Sequence, residues 1–404
     1  MPSGGNCLPV TDQPKPRPTS PSQGLPPAPE AVCLIRLSAI GACCHALPVV
    51  RTLQTAWPGT RITWIIGRTE LGLLEGASGI EFITFNKSTP WASLASIRRQ
   101  LAARRFPLLL HMHASMRANL VSRVVRADVR LGFDRARARD YQWLFTNEKI
   151  APTPSQHVMD GLFSFAEHLG IRQRVLRWDF NLGADDRRQA DELAGGPRPL
   201  CVISPCSSQR FRNFRNWSVA NYAAVTRHLI AARGARVVLT GGPTAVERQY
   251  GEQIQQAVGR PANASVINLI EQTRLKQLFA ILQAAELVVC PDSGPAHMAT
   301  AAGTPVVGLY ATSNPHRTGP YFSQRLVVDR YPEAVRREFG RRVEALRWGE
   351  RVRNPGAMDL IPVADVIERV DAVLDGTLRP GKVQELVLGH KRGDVLQGRH
   401  QSPT

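Results

Sequence analysis

The chain has 404 residues, of which 43% are hydrophobic and 21% are charged, and its formal net charge at pH 7 is +18. This length exceeds what one hydrophobic core usually supports, so we expect two domains, and no apolar run is long enough to cross a bilayer. The charge favours polyanionic partners, namely nucleic acid, an anionic membrane leaflet or a phosphorylated substrate, although a basic surface that only aids solubility is the alternative. Seven cysteines without a CxxC pair predict reduced core thiols rather than a metal site.

The two ends of the chain are predicted to be disordered extensions. Residues 1–30 include PKPRPTSPSQGLPPAPE, which is rich in proline and poor in apolar residues, and residues 376–404 are similar. No apolar core of a secretory signal precedes Glu30, so a cytoplasmic location is expected.

Between these ends, short β-branched runs alternate with helical stretches, which is typical of a parallel α/β fold. In the first unit the predicted strands are 32–37, 61–67, 81–85, 108–112 and 130–133. In the second unit they are 199–205, 235–241, 265–269, 286–291 and 305–310. We therefore expect two domains, 31–185 and 186–375, each with its own parallel sheet, and a ligand in the cleft beyond the carboxyl ends of the strands.

The most specific local motif is CPDSGPAHMATAAGTPVVGLY at 290–310. A buried strand ends at Pro291, and Asp292, Ser293 and Gly294 form a tight turn into a helix whose first amides are free. Such an amide cluster favours an anion, and His297 lies one turn further on, where it could donate to a phosphate oxygen. A capping aspartate and a structural histidine are the alternative interpretation.

Two other strand ends carry candidate ligand-binding residues. The segment SPCSSQRFRNFRNW at 204–217 offers the hydroxyls of Ser207 and Ser208 and three arginines without an opposing carboxylate, which favours an anion site, although a solvated basic loop is the alternative. The segment TGGPTAVE at 240–247 is a glycine turn suited to close approach of a ligand, or a simple connection.

With RLSAIGACCHALPVVRTLQTAWPGTRITWIIG at 36–67, these motifs resemble those of the ADP-heptose:lipopolysaccharide heptosyltransferases of glycosyltransferase family nine. The resemblance extends from about Val32 to Leu374. It implies a GT-B fold, in which two Rossmann-like domains face a central cleft, with the acceptor on the N-terminal domain and the nucleotide-sugar on the C-terminal one. It implies neither a metal nor another cofactor.

The resemblance also assigns the nucleotide-sugar-binding residues. Asp292, Ser293, Gly294 and His297 match the diphosphate-binding turn, and Ser207 and Ser208 match a hydroxyl pair. Arg215 stands where the family often has a lysine that contacts the donor phosphates, so its contact could become bidentate. Glu247 and Thr273 match positions that line the adenosine pocket.

An arginine-rich stretch supports an anionic acceptor. Seven arginines and two aspartates lie between Arg117 and Arg139. Of these, Arg117, Arg135, Arg137 and Arg139 are the candidate acceptor-binding residues, although a solvated basic surface is the alternative for each. The resemblance implies a Kdo-bearing lipid at the inner face of the cytoplasmic membrane as acceptor, and hence a peripheral membrane protein.

Position 42 departs from the family pattern. Active relatives have a Gly-Asp pair after the first strand, whose aspartate is thought to deprotonate the acceptor hydroxyl, whereas this chain has Gly41 and Ala42. Alanine cannot accept a proton, and loss of a general base costs about a hundred- to ten-thousand-fold in rate. His45 is the nearest titratable candidate, and the further candidates are His111, His113, Asp134 and Asp140. Slow catalysis by positioning and phosphate stabilisation alone is a competing hypothesis.

The sequence thus predicts an inverting transfer of heptose from ADP-heptose to a Kdo-containing lipopolysaccharide core, impaired by Ala42. A non-catalytic protein that binds the nucleotide-sugar is the alternative. Nucleic-acid binding is not expected, because the basic segments lack interleaved aromatic residues and any known recognition motif.

Overall fold

The computed structural model of the protein describes residues 27–207, 214–260 and 262–381. The disorder predicted for residues 1–26 and 382–404 lies outside the described residues. The short flanks that are described contact the body of the protein. The Thr60 hydroxyl donates to the carbonyl of Pro29 (2.6 Å), and the N–H of Gly381 donates to the carbonyl of Phe322 (2.6 Å).

The first unit contains a six-stranded parallel sheet with the strand order β3-β2-β1-β4-β5-β6. Its strands are β1 (Ala31–Ile35), β2 (Arg61–Gly67), β3 (Ile80–Phe85), β4 (Phe106–His111), β5 (Ala127–Gly132) and β6 (Glu148–Lys149). Its helices are α1 (Ile40–Ala56), α2 (Arg68–Leu74), α3 (Pro90–Gln100), α4 (Met116–Val124) and α5 (Val158–His168), followed by α6 (Ala184–Ala194) at the junction.

The second unit repeats this plan with the strand order β12-β11-β10-β7-β8-β9, again all parallel. Its strands are β7 (Leu200–Ile203), β8 (Arg236–Leu239), β9 (Val266–Asn268), β10 (Leu287–Pro291), β11 (Val306–Tyr310) and β12 (Val328–Asp329). Its helices are α7 (Val219–Arg233), α8 (Ala245–Val258), α9 (Leu275–Ala284), α10 (Gly294–Ala302), α11 (Pro315–Thr318), α12 (Tyr331–Phe339) and α13 (Val363–Leu374).

Side-chain alternation along the strands explains how the two units pack together. In β1, Cys33 faces the outer core of the first unit, whereas Val32 and Leu34 belong to a central core. In β7, Leu200 belongs to that same central core. Because successive side chains of a strand point to opposite faces, each sheet is buried on both sides, and the central core joins the two units.

The two units meet through α1 and α10, which are packed against each other. Each of these helices starts directly beyond the carboxyl end of a central strand, β1 for α1 and β10 for α10. The start of α1, with Ala42, therefore lies in the same inter-domain region as the motif that begins at Asp292. This is the cleft predicted from the sequence.

The predicted α/β architecture is confirmed. The ten predicted strands are present, whereas β6 and β12 were not predicted because two-residue edge strands leave no apolar run. The predicted domain boundary, between residues 185 and 186, falls within two residues of the start of α6, which packs against α9. Among the helices in the described ranges, none combines the length and the apolarity required to cross a lipid bilayer.

Candidate functional site

The predicted nucleotide-sugar residues lie along one edge of the second sheet. Its central strands are adjacent in the order β10-β7-β8-β9. Asp292 follows β10, Ser207 follows β7, Glu247 lies in the first turn of the helix after β8, and Thr273 follows β9. Because the strands are parallel, all four segments emerge at their carboxyl ends. Ser208 lies outside the described residues.

The turn after β10 has the geometry expected of an anion-binding helix start. Ser293 is the N-cap of α10, its backbone is extended, and its hydroxyl does not cap the helix. Gly294 is the first helical residue, and Pro295 has no amide hydrogen to satisfy. The turn is largely buried, with Ser293 8% exposed. The remaining first-turn amides and the helix dipole favour an anion there.

The carboxylate of Asp292 connects this turn to two neighbouring segments. Its Oδ2 accepts from an Nη of Arg215 (3.1 Å) and from the hydroxyl of Ser313 (2.8 Å). The same Arg215 nitrogen donates to the Asp292 carbonyl (2.7 Å). Both side chains of this ion pair are buried. Asp292 therefore fixes the position of Arg215, the arginine that was predicted to contact the donor phosphates.

The other predicted nucleotide-sugar residues have defined local roles. The backbone N–H of Ser207 donates to Oδ1 of Asn216 (2.9 Å). Glu247 closes the glycine turn, because its carboxylate accepts from the Gly242 N–H (2.9 Å) and from the hydroxyl of Thr244 (2.6 Å). Thr273 is half-buried just before α9. Glu247 is thus held rigidly at the carboxyl end of β8.

His297 faces the N-terminal domain. A Cβ placed on Gly41 would lie 2.1 Å from Cδ2 of His297, so only glycine leaves room for this ring. The ring of His45 packs edge-on against His297 with 4.5 Å between the ring centroids. Within the described part of the chain, Nε2 of His45 and Nδ1 of His297 are buried without a hydrogen-bond partner. Each is a polar group that a ligand could satisfy.

Burial keeps this histidine cluster neutral. It lowers the pKa of His297, lowers that of His45 further, and lowers that of the adjacent His157 to about 4. His157 donates from Nε2 to the carbonyl of Gly319 (3.0 Å) and accepts at Nδ1 from the N–H of Met159 (3.1 Å), which fixes its tautomer. Neutral rings can donate to a phosphate or accept a proton.

The alternative bases predicted from the sequence have structural contacts. His111 accepts at Nδ1 from Gln142 (3.0 Å) and donates at Nε2 to Asn119 (3.0 Å). His113 accepts at Nδ1 from the N–H of Leu37 (3.1 Å). Two carboxylates fix the arginine loop: Asp134 accepts from the N–H of Ala136 and pairs with Arg137, while Asp140 accepts from the N–H of Met116.

The four predicted acceptor arginines have different environments. Arg117 is exposed on α4, and Arg135 lies over the ring of Trp143, 5.3 Å from its centroid. Arg137 is held by Asp134, by Gln156 and by the carbonyl of Ala151. Arg139 reaches the second unit: its Nη2 is 3.4 Å from the point where a Cβ on Gly349 would lie.

Two arginines beside Arg139 were not predicted. Nε of Arg317 is 3.2 Å from that same Cβ position on Gly349. Burial lowers the pKa of Arg317, and the charges of Arg139 and Arg351 lower it further. Arg351 lies 3.9 Å from Oδ2 of Asp292 and forms an isolated β-bridge with Ser313. Cations from both domains therefore converge beside the turn after β10.

A carboxylate that the sequence did not single out lies beside the start of α1. A Cβ on Gly67 would meet both Oε2 of Glu70 and the carbonyl of Leu37 at 2.3 Å, which places Glu70 against the turn that follows β1. Glu70 is half-buried, and in the described ranges it forms no salt bridge. Burial raises its pKa, although a hydrogen bond from its own backbone N–H and the charges of Lys87, Arg36 and Arg117 oppose this effect.

Comparison with known proteins agrees with this arrangement. The family model "Glycosyltransferase family 9 (heptosyltransferase)" matches residues 94–345. The lipopolysaccharide core heptosyltransferase OpsX of Haemophilus influenzae is 38% identical over 340 residues, which cover 84% of this chain and 96% of that protein.

Two solved structures show the same fold. The Escherichia coli ADP-heptose LPS heptosyltransferase II has a TM-score of 0.64 and 19% identity, and the match covers 86% of this chain and 99% of that one. The E. coli heptosyltransferase WaaC with ADP has a TM-score of 0.58 and 20% identity, covering 74% and 92%. These similarities confirm the two-domain GT-B fold predicted from the sequence.

Proposed function

Because this chain belongs to glycosyltransferase family 9, the heptosyltransferase family, and is therefore a glycosyltransferase, we propose that it transfers heptose from ADP-heptose to a Kdo-containing lipopolysaccharide core. The observation that carries the proposal is the contact between Gly41 and His297. This contact places α1, the helix that contains position 42, next to the predicted donor residues at the edge of the second sheet.

In this proposal the second domain binds the donor. The amides at the start of α10 and the side chains of Ser293 and His297 contact the diphosphate, together with Arg215, which Asp292 positions. Ser207 and Ser208 contribute hydroxyls, and Glu247 and Thr273 line the adenosine pocket. The buried Nδ1 of His297 supports this assignment, because a ligand oxygen would satisfy it.

The first domain binds an anionic acceptor, and arginines at the cleft neutralise it. Arg139, Arg317 and Arg351 supply guanidinium groups from both domains, which suits a carboxylate or phosphate on the acceptor sugar. Arg117 and Arg135 are exposed and complete this basic surface. Arg137, whose guanidinium is bound by the protein itself, shapes the loop that carries Arg139.

The chemical step requires a proton acceptor in place of an aspartate at position 42. The acceptor hydroxyl oxygen bonds to the anomeric carbon, the bond from that carbon to the β-phosphate oxygen breaks with its electron pair on ADP, and inversion results. We assign the released proton to Glu70, which lies beside the start of α1, rather than to His45, whose ring is buried, packs edge-on against His297 and has a strongly lowered pKa. The raised pKa of Glu70 suits a base at neutral pH.

Titration calorimetry with ADP and ADP-heptose tests the proposal without depending on the base. We expect binding by the wild type and at least tenfold weaker binding by Asp292→Asn, because the amide disrupts the ion pair that positions Arg215. Asp185→Asn, on an exposed side chain of α6, is the matched control and should bind normally.

Transfer of labelled heptose to a Kdo-lipid then separates the two functional hypotheses. Binding with transfer supports the glycosyltransferase, and binding without any transfer favours the non-catalytic alternative. If no nucleoside diphosphate binds at low ionic strength, the donor site as described is wrong.

A further inference from the structure

Exposed apolar side chains are concentrated on one part of the N-terminal domain. In the ranges 27–207, 214–260 and 262–381, every exposed large hydrophobic side chain lies between Trp91 and Leu144. Scattered single residues of this kind are ordinary, whereas a contiguous group marks an interaction surface.

Five of these residues form a group that we call the apolar patch: Met116, Leu120, Tyr141, Trp143 and Leu144. Tyr141 is 63% exposed and Leu144 is 62% exposed. Two hydrogen bonds show that the two segments of the patch are neighbours. The N–H of Met116 donates to Oδ2 of Asp140 (3.0 Å), and the amide of Asn119 donates to the carbonyl of Asp140 (2.5 Å).

A buried glutamine fixes the loop that exposes the aromatic residues of the patch. Gln142, between two exposed aromatic residues, is fully buried, and its amide donates to Nδ1 (3.0 Å) and to the carbonyl (2.8 Å) of His111. Asp140 and Tyr141 both have left-handed backbones, with φ of 51° and 59°. A non-glycine pair in this region is sparsely populated and persists only where the surroundings enforce it.

Basic residues surround the patch. Arg135 lies over the ring of Trp143, and Arg117 and Arg123 are exposed on α4. Aromatic rings combined with arginines are the side chains that bind at the headgroup level of an anionic bilayer. The net charge of +18 adds long-range attraction to such a surface.

We infer that the apolar patch is the surface through which this enzyme binds an anionic lipid bilayer, with Tyr141, Trp143 and Leu144 inserted at the headgroup level. Arg139, two residues before Tyr141, reaches the cleft beside Gly349. The same loop therefore connects the bilayer to the acceptor site, so a sugar on a lipid held beside the patch can enter the cleft. This inference rests on the proposed function for the identity of the acceptor.

Vesicle co-sedimentation of the full chain tests the inference. We expect the wild type to bind vesicles of phosphatidylglycerol and phosphatidylethanolamine, and to bind phosphatidylcholine vesicles at least tenfold more weakly. Trp143→Ser/Leu144→Ser should lower binding to the anionic vesicles at least tenfold. Arg341→Gln/Arg342→Gln, on exposed residues of the second domain, removes only long-range attraction and should lower binding much less.

Three results would overturn the inference: no binding of the wild type to anionic vesicles, equal binding of Trp143→Ser/Leu144→Ser, or a dimer in sedimentation velocity that this double variant dissociates. Calorimetry with ADP keeps the inference separate from the proposed function. The double variant should bind ADP normally, whereas failure of the donor site would abolish ADP binding and leave vesicle binding intact.

Discussion

Gly41→Ala tests the contact on which the proposed active site depends. The added Cβ would lie 2.1 Å from Cδ2 and 2.8 Å from Cγ of His297, about 1.3 Å short of an ordinary contact of 3.4 Å. The ring has little room to yield, because His45 packs against it at 4.5 Å and is itself buried. Either His297 rotates away from the start of α10 or α1 moves away from α10.

The expected loss follows from this displacement. A misplacement of about 1 Å in a catalytic constellation can cost about a hundredfold in rate, so we expect kcat/KM for ADP-heptose to fall by about that factor. Alanine in a helix is favoured over glycine by about 1 kcal/mol, and overpacking costs about 1–3 kcal/mol, so the free energy of unfolding should fall by at most about 2 kcal/mol.

The assay is the initial rate of transfer at varied ADP-heptose, with thermal unfolding measured in parallel. Gly59→Ala is the control, because a Cβ there meets nothing within 4 Å. An unchanged kcat/KM together with a higher melting temperature for Gly41→Ala would refute the reasoning, since it would show that His297 need not occupy its position.

Two further predictions concern protons. Glu70→Gln should lower kcat at least tenfold with little change in KM, and it should remove the acidic limb of the pH profile. Ala42→Asp should restore kcat in the Glu70→Gln background, and the control Glu75→Gln, on the exposed end of the same helix, should act like the wild type. A normal kcat for Glu70→Gln would exclude Glu70 as the base. For stability, burial lowers the pKa of His111 and of His157 from 6.5 to about 4, so between these pH values the unfolded chain binds protons that the folded protein does not. The free energy of unfolding should therefore fall by about 1.4 kcal/mol per pH unit for each histidine as the pH drops from 6.5 towards 4, and urea midpoints that stay constant between pH 7 and 5 would contradict this.

The fold was predictable because its signals are local. Each buried strand is an apolar run, and each helix after it has its own periodicity. The turn from Asp292 to His297 was recognisable for the same reason, since a strand end, a glycine and a helix start are consecutive in the sequence. The two-residue strands β6 and β12 have no such signal, because their neighbours in the sheet define them.

The contacts that join distant segments were not predictable. Arg215 pairs with Asp292 across 77 positions, and the sequence indicated only that both were near an anion. Arg351 is far from Asp292 in the sequence, yet it lies 3.9 Å from the Asp292 carboxylate. Arg137 was expected to face the acceptor, but nothing in the sequence indicated that its guanidinium is bound by Asp134.

The proposed function assigns donor binding to the second domain and the proton acceptor to the first, which determines whether the alanine at position 42 affects kcat or donor affinity. In the proposed reaction Asp292 does not serve as the base, because its carboxylate already accepts from Arg215 and Ser313 and positions the donor side. The residues proposed to bind the donor belong to the second unit, whereas position 42 on α1 and Glu70 on α2 belong to the first. Alanine instead of aspartate at position 42 should therefore lower kcat and leave donor affinity unchanged. If Ala42→Asp instead changed the affinity for ADP, position 42 would act on the donor site through the contact between α1 and His297, and not on the chemical step alone.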